Sequence, residues 1–389
     1  GMEPKKGLSI DEEAAYQMVS EVNEKYQFGL DPHALISDLN VSQRQKVEIL
    51  KVLIRGAKIL IMDEPTAVLT PQETDELFVQ LESLKKSGHT IIFISHKLKE
   101  IKAICDRMTI MRNARYVGTY DVEGISTEDI SKLMIGRDVV LKIEKDEPNI
   151  LDVALNAKNI RVVADDGKEV VKDVSFLVRE GEILGIAAIE GNGQRELLDA
   201  ITGLNLPNSG EIYINGLKCQ DKNPVRDRRE KGLAHIPEDR LIYGAMVEES
   251  IQDNLIANRF DKDEFNQGLA LNMKEIERLT DVLIDEFQIK TDSPLTPVKM
   301  LSGGNIQKVV AAREMSSSMA VLVADQPTRG IDVGTANFIH RTLIKLRDTG
   351  AGIILSSADI NEVLELSDSL MVMYDGQITG YFKDASVLD

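Results

Sequence analysis

The feature of this chain that most constrains its fold is an internal repeat with a period of 262 residues. Five pairs of identical residues share this spacing: Leu39 and Leu301, Asp63 and Asp325, Gly88 and Gly350, Ser95 and Ser357, and Gly118 and Gly380. The two stretches align without a gap over about eighty residues. A period of this size indicates two homologous domains rather than a solenoid of short repeats. The length of 389 residues is sufficient for two domains of ordinary size.

The second copy of the repeat combines a glycine turn, a helix and an apolar strand. Four residues stand where a loop turns into the helix: Ser302, Gly303, Gly304 and Asn305. Glycines let backbone N–H groups approach an anion closely, and a helix N-terminus adds a favourable dipole. An apolar strand over residues 320–324 follows and ends in Asp325, where a P-loop fold holds its metal ion. This order of features resembles the signature and Walker B motifs of ABC-type ATPases.

The resemblance implies an α/β fold of the P-loop NTPase class, of the ABC ATPase type, with helical subdomains and two homologous copies. We expect the first domain over residues 1–138, a linker of mixed charge over residues 139–149, and the second domain over residues 150–389. At the repeat spacing, the Walker A motif and the Q-loop of the first copy fall before residue 1. The first copy is therefore expected to be incomplete, and the chain to be an N-terminally truncated product that does not hydrolyse ATP alone.

The first copy keeps the two acids of a Walker B motif. Residues 59–62 predict a buried strand, and Asp63 and Glu64 follow it. In ABC ATPases the aspartate holds magnesium through water and the glutamate polarises the attacking water. The resemblance therefore assigns Asp63 to the metal and Glu64 to catalysis. The alternative is that these acids only cap a helix at the end of the strand.

His96 follows a predicted strand over residues 90–94. A lone histidine is usually structural, and this alternative stays open. Its spacing from the Walker B run resembles that of the switch histidine that contacts the γ-phosphate, which makes His96 a candidate catalytic residue. The signature of this copy departs from the family pattern, because Asn40, Val41 and Ser42 replace Ser-Gly-Gly. Without these glycines the backbone loses its close approach to a phosphate.

A glycine loop in the second copy lies between a predicted strand over residues 182–187 and a helix. It contains five candidates for nucleotide binding: Gly191, Asn192, Gly193, Gln194 and Arg195. The loop resembles a Walker A motif, but Gln194 replaces the lysine that neutralises phosphate charge and Arg195 replaces the hydroxyl that ligates magnesium. The glycines and the helix N-terminus still suit a phosphate, with Arg195 as a partial substitute for the lost cation. Weak or magnesium-independent nucleotide binding is one interpretation, and a structural relic loop is the other.

Other positions of the second copy have lost catalytic chemistry. Gln326 replaces the catalytic glutamate after Asp325, and a neutral amide cannot take a proton from water. Ala358 stands where the first copy has His96. Glu238 replaces the Q-loop glutamine, which in the family senses magnesium and touches the membrane part of the transporter. Asp325 itself is kept and is a further candidate for nucleotide binding.

The replaced motif residues all fall in one of the two expected nucleotide sites. In ABC ATPases, two domains face each other head to tail, and each nucleotide lies between the Walker motifs of one domain and the signature of the other. The Walker B acids and His96 would pair with the intact signature at residues 302–305 as one complete hydrolysis site, and the degenerate positions would form a non-catalytic site. This asymmetry resembles the fused double ATPases of bacterial ABC importers for simple sugars and nucleosides. Residues 190–194 and 290–304 look most like the nucleoside branch.

The resemblance implies ATP and Mg²⁺ as cofactors, with membrane permease subunits and a substrate-binding protein as partners. It also implies a peripheral position on the cytoplasmic face of the bacterial inner membrane. The net charge of −18 argues against a nucleic-acid partner, because phosphate binding needs clustered Lys and Arg. No apolar run in the sequence reaches about 18 residues, so no membrane span is predicted. A first domain without its central strands would expose apolar surface, so self-association is also expected.

Two other classes of function compete with an active ATPase subunit. The first is a non-catalytic nucleotide-binding or scaffold module that docks on a membrane permease, which nucleotide binding without hydrolysis would reveal. The second is a soluble double ATPase of the translation-factor type. Such proteins keep both sites intact and carry a basic linker, whereas here one site is degenerate and residues 139–149 are not basic.

Overall fold

The computed structural model describes residues 3–7, 9–39, 41–66, 69, 71–95, 97–112, 115–135, 145–267 and 270–385. The chain divides into two compact units, Gly1–Val139 and Val140–Asp389, termed the first and the second unit. Asn40, His96 and residues 139–144 of the predicted linker lie outside the described residues.

The described residues of the first unit include five α-helices and six strands. The helices are α1 (Glu12–Tyr26), α2 (Val41–Ile54), α3 (Pro71–Lys86), α4 (Leu98–Ile104) and α5 (Thr127–Ile135). The strands are β1 (Lys5–Lys6), β2 (Ser9–Ile10), β3 (Ile59–Asp63), β4 (Thr90–Ile94), β5 (Arg107–Arg112) and β6 (Arg115–Asp121). The Asp11 carboxylate caps α1 by accepting a hydrogen bond from the Ala14 backbone N–H at 3.1 Å, which satisfies one of the free N–H groups of the first turn.

The parallel pair β3 and β4 is covered on one face only. Leu60 and Met62 of β3 pack against apolar side chains of α2 and α3. On the opposite face, Ile59 and Ile61 are 59% and 69% exposed. The prediction of a buried strand at residues 59–62 is therefore wrong for one of its two faces. Within the described residues of the first unit, no element covers this face.

The described residues of the second unit include seven α-helices and twelve strands. The helices are α6 (Gln194–Thr202), α7 (Pro224–Glu230), α8 (Ile251–Ile256), α9 (Met273–Glu286), α10 (Gly303–Met315), α11 (Val333–Asp348) and α12 (Ile360–Leu366). The first six strands are β7 (Val153–Val163), β8 (Glu169–Arg179), β9 (Ile183–Ala187), β10 (Ser209–Ile214), β11 (Leu217–Lys218) and β12 (Leu233–Ile236). The others are β13 (Asn266–Gln267), β14 (Ala270–Leu271), β15 (Val321–Asp325), β16 (Gly352–Ser356), β17 (Ser369–Tyr374) and β18 (Gln377–Phe382).

A six-stranded sheet in the order β12-β15-β16-β9-β17-β18 forms the centre of the second unit. Its strands are parallel except for β18, which pairs antiparallel with β17. One face packs against α8 to α11, and the other packs against α6 and the antiparallel strands β7, β8 and β10. Every residue of β9, β15 and β16 is buried, as is typical of parallel strands covered on both faces.

The parallel arrangement brings the carboxyl ends of four strands to one edge of this sheet. Ala187 ends β9, Ile236 ends β12, Asp325 ends β15 and Ser356 ends β16. In open α/β sheets, ligands bind outside the carboxyl ends of the strands. The loops that follow these four strands therefore define the candidate site of the second unit.

The end of the predicted linker packs against the second unit. The Lys145 ammonium donates to the carbonyl oxygen of Ser367 at 2.5 Å and lies 3.5 Å from the Asp368 carboxylate. The Arg347 guanidinium donates to the carbonyl oxygen of Asp146 at 2.8 Å. Residues 145 and 146 are therefore fixed to the second unit by partly buried polar contacts.

Candidate functional site

The loop between β9 and α6 has a backbone shape that requires glycine. Gly191 and Gly193 have φ values of 88° and 93°. A Cβ on Gly193 would lie 2.2 Å from the carbonyl oxygen of Val170, which leaves no room for a side chain. Among the described residues, no side-chain hydrogen bond caps α6 at Gly193. Such a loop at a helix N-terminus is suited to binding a phosphate.

Gln194 is turned back into its own loop. Its side-chain oxygen accepts from the Asn192 backbone N–H at 3.1 Å, and its amide nitrogen donates to the Ile189 carbonyl oxygen at 3.3 Å. The Asn192 side chain accepts from the Asp375 backbone N–H at 2.8 Å, which ties the loop to the turn between β17 and β18. Gln194 therefore occupies a donor that a phosphate oxygen would use, while Asn192 has a structural partner.

Arg195 has an exposed side chain that makes one long contact. Its side chain is 59% exposed, and its guanidinium nitrogen lies 3.9 Å from the Glu238 carboxylate. That distance is too long for a hydrogen bond, and an exposed pair of this kind contributes little to stability. The Glu238 carboxylate also accepts a closer contact from the Arg329 guanidinium. Glu238 is therefore neutralised mainly by Arg329, which leaves Arg195 available to a ligand.

Arg240 connects the Glu238 segment to two other loops. Its guanidinium donates to the carbonyl oxygens of Arg329 at 2.6 Å and Gly330 at 3.2 Å. It also lies beside Gly303, where a Cβ would come within 2.9 Å of a guanidinium nitrogen. No sequence motif singles out Arg240 or Arg329, because the residues in contact are about ninety positions apart.

Asp325 and Gln326 lie at the carboxyl end of β15. Asp325 is 8% exposed. Burial of the carboxyl group, and then the negative charge of Glu238, raise the pKa of Asp325 to about 7. Gln326 has a φ of 50°, and its side-chain oxygen accepts from the Ala358 backbone N–H at 3.0 Å. The residue at the catalytic position is therefore an amide that holds the neighbouring loop in place.

The predicted signature residues form the first turn of α10. Ser302 caps the helix, because its hydroxyl accepts from the Asn305 backbone N–H at 3.4 Å, and it also accepts from the Asn305 side-chain amide at 2.9 Å. Asn305 in turn accepts from the Lys290 backbone N–H at 2.9 Å. A Cβ on Gly304 would lie 3.2 Å from the Asp332 carboxylate, so the glycine leaves room for the following loop. The helix begins at Gly303.

Asp63 and Glu64 lie at the carboxyl end of β3 in the first unit. Glu64 has a φ of 44°, and its backbone N–H donates to the Ile94 carbonyl oxygen at 2.9 Å. Gln326 has the same left-handed backbone and donates to the Ser356 carbonyl oxygen at 2.8 Å. The two positions thus share their backbone geometry and differ in the side chain that would meet water. His96 lies outside the described residues.

A second contact recurs at the same spacing of 262 residues. The Gln45 side-chain amide donates to the Pro65 carbonyl oxygen at 2.5 Å. The Gln307 amide donates to the Pro327 carbonyl oxygen at 2.7 Å. In each unit this bond fixes the segment after the strand-end acid to the helix that follows the signature position.

Glu100, a buried acid at the base of α4, is not among the predicted site residues. Its carboxylate accepts from the Thr66 hydroxyl at 2.6 Å and from the Ser95 hydroxyl at 2.9 Å. The Lys97 ammonium lies 3.3 Å from it. This carboxylate joins the segment after the Walker B acids to the segment that leads to His96.

Glu362 makes the equivalent contacts in the second unit. Its carboxylate accepts from the Thr328 hydroxyl at 2.8 Å and from the Ser357 hydroxyl at 2.5 Å. His340 takes the place of the lysine, with its Nε2 at 2.6 Å. All three residues shared with the first unit obey the repeat spacing, which is the sequence signal that could have revealed both acids.

Within the described residues, no group of three or more His, Cys, Asp or Glu side chains is placed to hold a metal ion. The described helices also include none long and apolar enough to cross a membrane. A metal at Asp63 or Asp325 would therefore need ligands from the nucleotide and from water, which is the usual coordination of Mg²⁺ in proteins.

Known proteins with similar sequences decide the family. A family model described as ABC transporter matches residues 171–329. The nucleoside import ATP-binding protein NupA of Lactococcus lactis is 39% identical over 380 residues, which cover 98% of this chain and 75% of that protein. The chain belongs to the ABC transporter ATP-binding proteins. The glucose import ATP-binding protein TsgD13 of Haloferax volcanii is 38% identical over 374 residues, or 96% of this chain and 67% of that protein.

A solved ABC structure supports the fold of the chain. The structure is a dimeric ATP-binding cassette in a post-hydrolysis state, bound to ADP and Pi. It aligns with a TM-score of 0.51 and 23% identity over 58% of this chain and 97% of that chain. The predicted P-loop fold of the ABC ATPase type is confirmed.

Proposed function

We propose that this chain is the ATP-binding, energy-coupling subunit of an importer for a nucleoside or a simple sugar. The observation that carries the proposal is the glycine loop before α6, in which Gly193 has a positive φ and no room for a side chain. Such a loop presents backbone N–H groups and a helix N-terminus to the phosphates of a nucleotide. The names of the ABC relatives agree with an import function.

The catalytic chemistry is assigned to the first unit. Glu64 would polarise the attacking water, and Asp63 would hold Mg²⁺ through water. Catalysis would also depend on Ser302 to Asn305, the signature residues of the second unit. The two units would be two homologous copies of the ATP-binding cassette. His96 stays the predicted contact to the γ-phosphate. The second unit would bind nucleotide without turnover, because Gln326 cannot take a proton from water.

The transported molecule is proposed to be a nucleoside. Residues 190–194 and 290–304 support this choice. NupA of L. lactis is named for nucleosides and TsgD13 of H. volcanii for glucose, so a simple sugar is the competing substrate. Substrate selection would lie in a separate substrate-binding protein and in the membrane permease subunits. The chain would bind these permeases on the cytoplasmic face of the inner membrane, and self-association through the exposed face of β3 is proposed as well.

Uptake of labelled substrate by cells that carry substitutions in this chain tests the proposal. Glu64→Gln is expected to reduce uptake of labelled guanosine at least a hundredfold, because general-base catalysis contributes about 10²–10⁴-fold. Gln326→Ala at the equivalent position of the second unit is the matched control and should leave uptake within about threefold. Parallel uptake assays with labelled ribose and with labelled guanosine identify the substrate class. Uptake that survives Glu64→Gln would contradict the assignment.

A non-catalytic module that docks on a permease is the second candidate. It is favoured by Gln194, whose side-chain oxygen already occupies a loop N–H, and by Gln326 at the catalytic position. This candidate predicts retention of labelled ATP by the purified chain with uptake unaffected by Glu64→Gln. The energy-coupling subunit predicts retention of ATP together with loss of uptake in that variant.

A further inference from the structure

The site at the carboxyl edge of the second unit's sheet does not fit the magnesium ion that ABC ATPases use. The position of the metal-binding hydroxyl holds the guanidinium of Arg195. Glu238, two residues beyond β12, is engaged by Arg329 and faces Arg195. Asp325 is 8% exposed at the end of β15.

Two guanidinium groups lie close to the Glu238 carboxylate. Arg195 approaches Glu238 from the start of α6, and Arg329 approaches it from the loop after β15. A magnesium ion bound as the family resemblance implies would be held from the same three segments, namely the glycine loop, the Walker B strand and the Q-loop. In the second unit, a chain of two guanidinium groups and one carboxylate makes this connection, and Arg240 extends it to the carbonyl oxygens of Arg329 and Gly330.

We propose that the second unit binds nucleotide phosphates without a divalent cation. Arg195 is the cation that contacts the phosphates, while Glu238 stays paired with Arg329. This inference rests on the proposed nucleotide binding at the glycine loop. Arg195 is suited to the role because its 59% exposed side chain makes only a 3.9 Å contact with Glu238. An arginine–phosphate pair is charge-assisted and is frequently bidentate, so it gains more than the exposed ion pair that it replaces.

The loop must also change locally when a phosphate enters. The side-chain oxygen of Gln194 accepts from the Asn192 N–H at 3.1 Å and would yield this donor to a phosphate oxygen. The amide is neutral, so its displacement frees no charge. The positive charge for the phosphate then comes from Arg195 and from the N-terminus of α6.

Equilibrium titration of the full chain with a fluorescent N-methylanthraniloyl-ATP, in excess Mg²⁺ and in excess EDTA, tests the proposal. The variants are Arg195→Gln and Arg195→Ser. The matched control is Arg161→Gln on β7, which removes the arginine of an ion pair with Glu169 of β8. Circular dichroism checks that each variant is folded, which is expected because the Arg161 and Arg195 side chains are 48% and 59% exposed.

The wild-type dissociation constants with Mg²⁺ and with EDTA are expected to agree within about twofold. Arg195→Gln should weaken binding about tenfold in both solutions, a loss of about 1.4 kcal/mol, while Arg161→Gln matches the wild type. Arg195→Ser, which restores a hydroxyl, should bind nucleotide more tightly with Mg²⁺ than with EDTA.

Three results would each overturn this inference and leave the proposed function standing. They are wild-type binding that requires Mg²⁺, equal binding by Arg195→Gln and wild type, and Arg195→Ser binding that does not depend on Mg²⁺. Absence of binding in both solutions would remove nucleotide binding and this inference together.

Discussion

The strand that ends at the Walker B aspartate has different surroundings in the two units, although its sequence is similar in both. In the second unit, β15 and β16 are buried at every residue between two apolar layers. In the first unit, β3 and β4 carry the same kind of apolar run, yet Ile59, Ile61 and Ile92 are about half to two-thirds exposed. Burial of a strand is therefore decided by which elements pack on each face and not by its own apolar content.

The hydrogen bonds around the two strand-end acids differ far less than the burial of the strands. Glu100 and Glu362 each join two hydroxyl-bearing segments through one carboxylate. Glu64 and Gln326 share a left-handed backbone. The units therefore keep the same scaffold around this position and differ in the groups that carry chemistry.

The largest predicted effect concerns the charge of Asp325 in the second unit. A pKa raised from 3.8 to about 7 means that the native state keeps a proton that the unfolded chain releases, so stability falls as the pH rises from about 4 to about 7. Asp325→Asn removes this cost and should stabilise the chain by up to about 4 kcal/mol at pH 8, with little effect below pH 4. Urea unfolding at several pH values measures this difference.

The control for this prediction is Asp63→Asn in the first unit. Asp63 is exposed, so its substitution should change the free energy of unfolding by less than about 1 kcal/mol at any of these pH values. A pH-independent effect of Asp325→Asn would contradict the burial of this carboxyl as the cause.

Two isoleucines at equivalent positions test the difference in burial directly. Ile354 of β16 is fully buried, and Ile92 of β4 is 48% exposed. Ile354→Ala should cost about 3 kcal/mol of unfolding free energy, because it removes apolar contacts and leaves a cavity. Ile92→Ala should cost about 1 kcal/mol or less. Hydrogen exchange of β16 and β4 peptides measures each effect in its own unit, and equal costs would show that the exposed face of the first unit is covered in solution.

A smaller effect tests the shared scaffold. Glu100→Gln and Glu362→Gln each disturb a buried acceptor of two hydroxyl donors, which is expected to cost about 1–2 kcal/mol. If the two carboxylates have the same role, the two costs should agree within about 0.5 kcal/mol. Thermal unfolding of the two single variants and the double variant measures this, and a large cost in only one unit would break the equivalence.

Much of the fold could be predicted from the sequence because its signals are local. Glycines mark the loop before α6, Ser302 marks the start of α10, and the apolar runs mark β3 and β15. The sequence also predicts exposed apolar surface in the first domain, but not that Ile61 lies on it, since the face of β3 that stays uncovered depends on elements distant in sequence.

The candidate site was less predictable than the fold. Its residue types follow family motifs, so Gly193 and Asp325 could be placed from sequence. The inward turn of Gln194 and the pairing of Glu238 with Arg329 depend on side-chain geometry and on contacts across about ninety residues. Motif spacing carries no information on such contacts.

The central claim is that phosphate binding lies in the glycine loop of the second unit whereas the catalytic carboxylate lies in the first. Hydrogen–deuterium exchange of the chain with and without saturating ATP tests it most directly. The account predicts slowed exchange in peptides that cover residues 188–197, because phosphate oxygens would accept hydrogen bonds from these backbone N–H groups. Unchanged exchange in residues 188–197, with protection confined to the first unit, would contradict it.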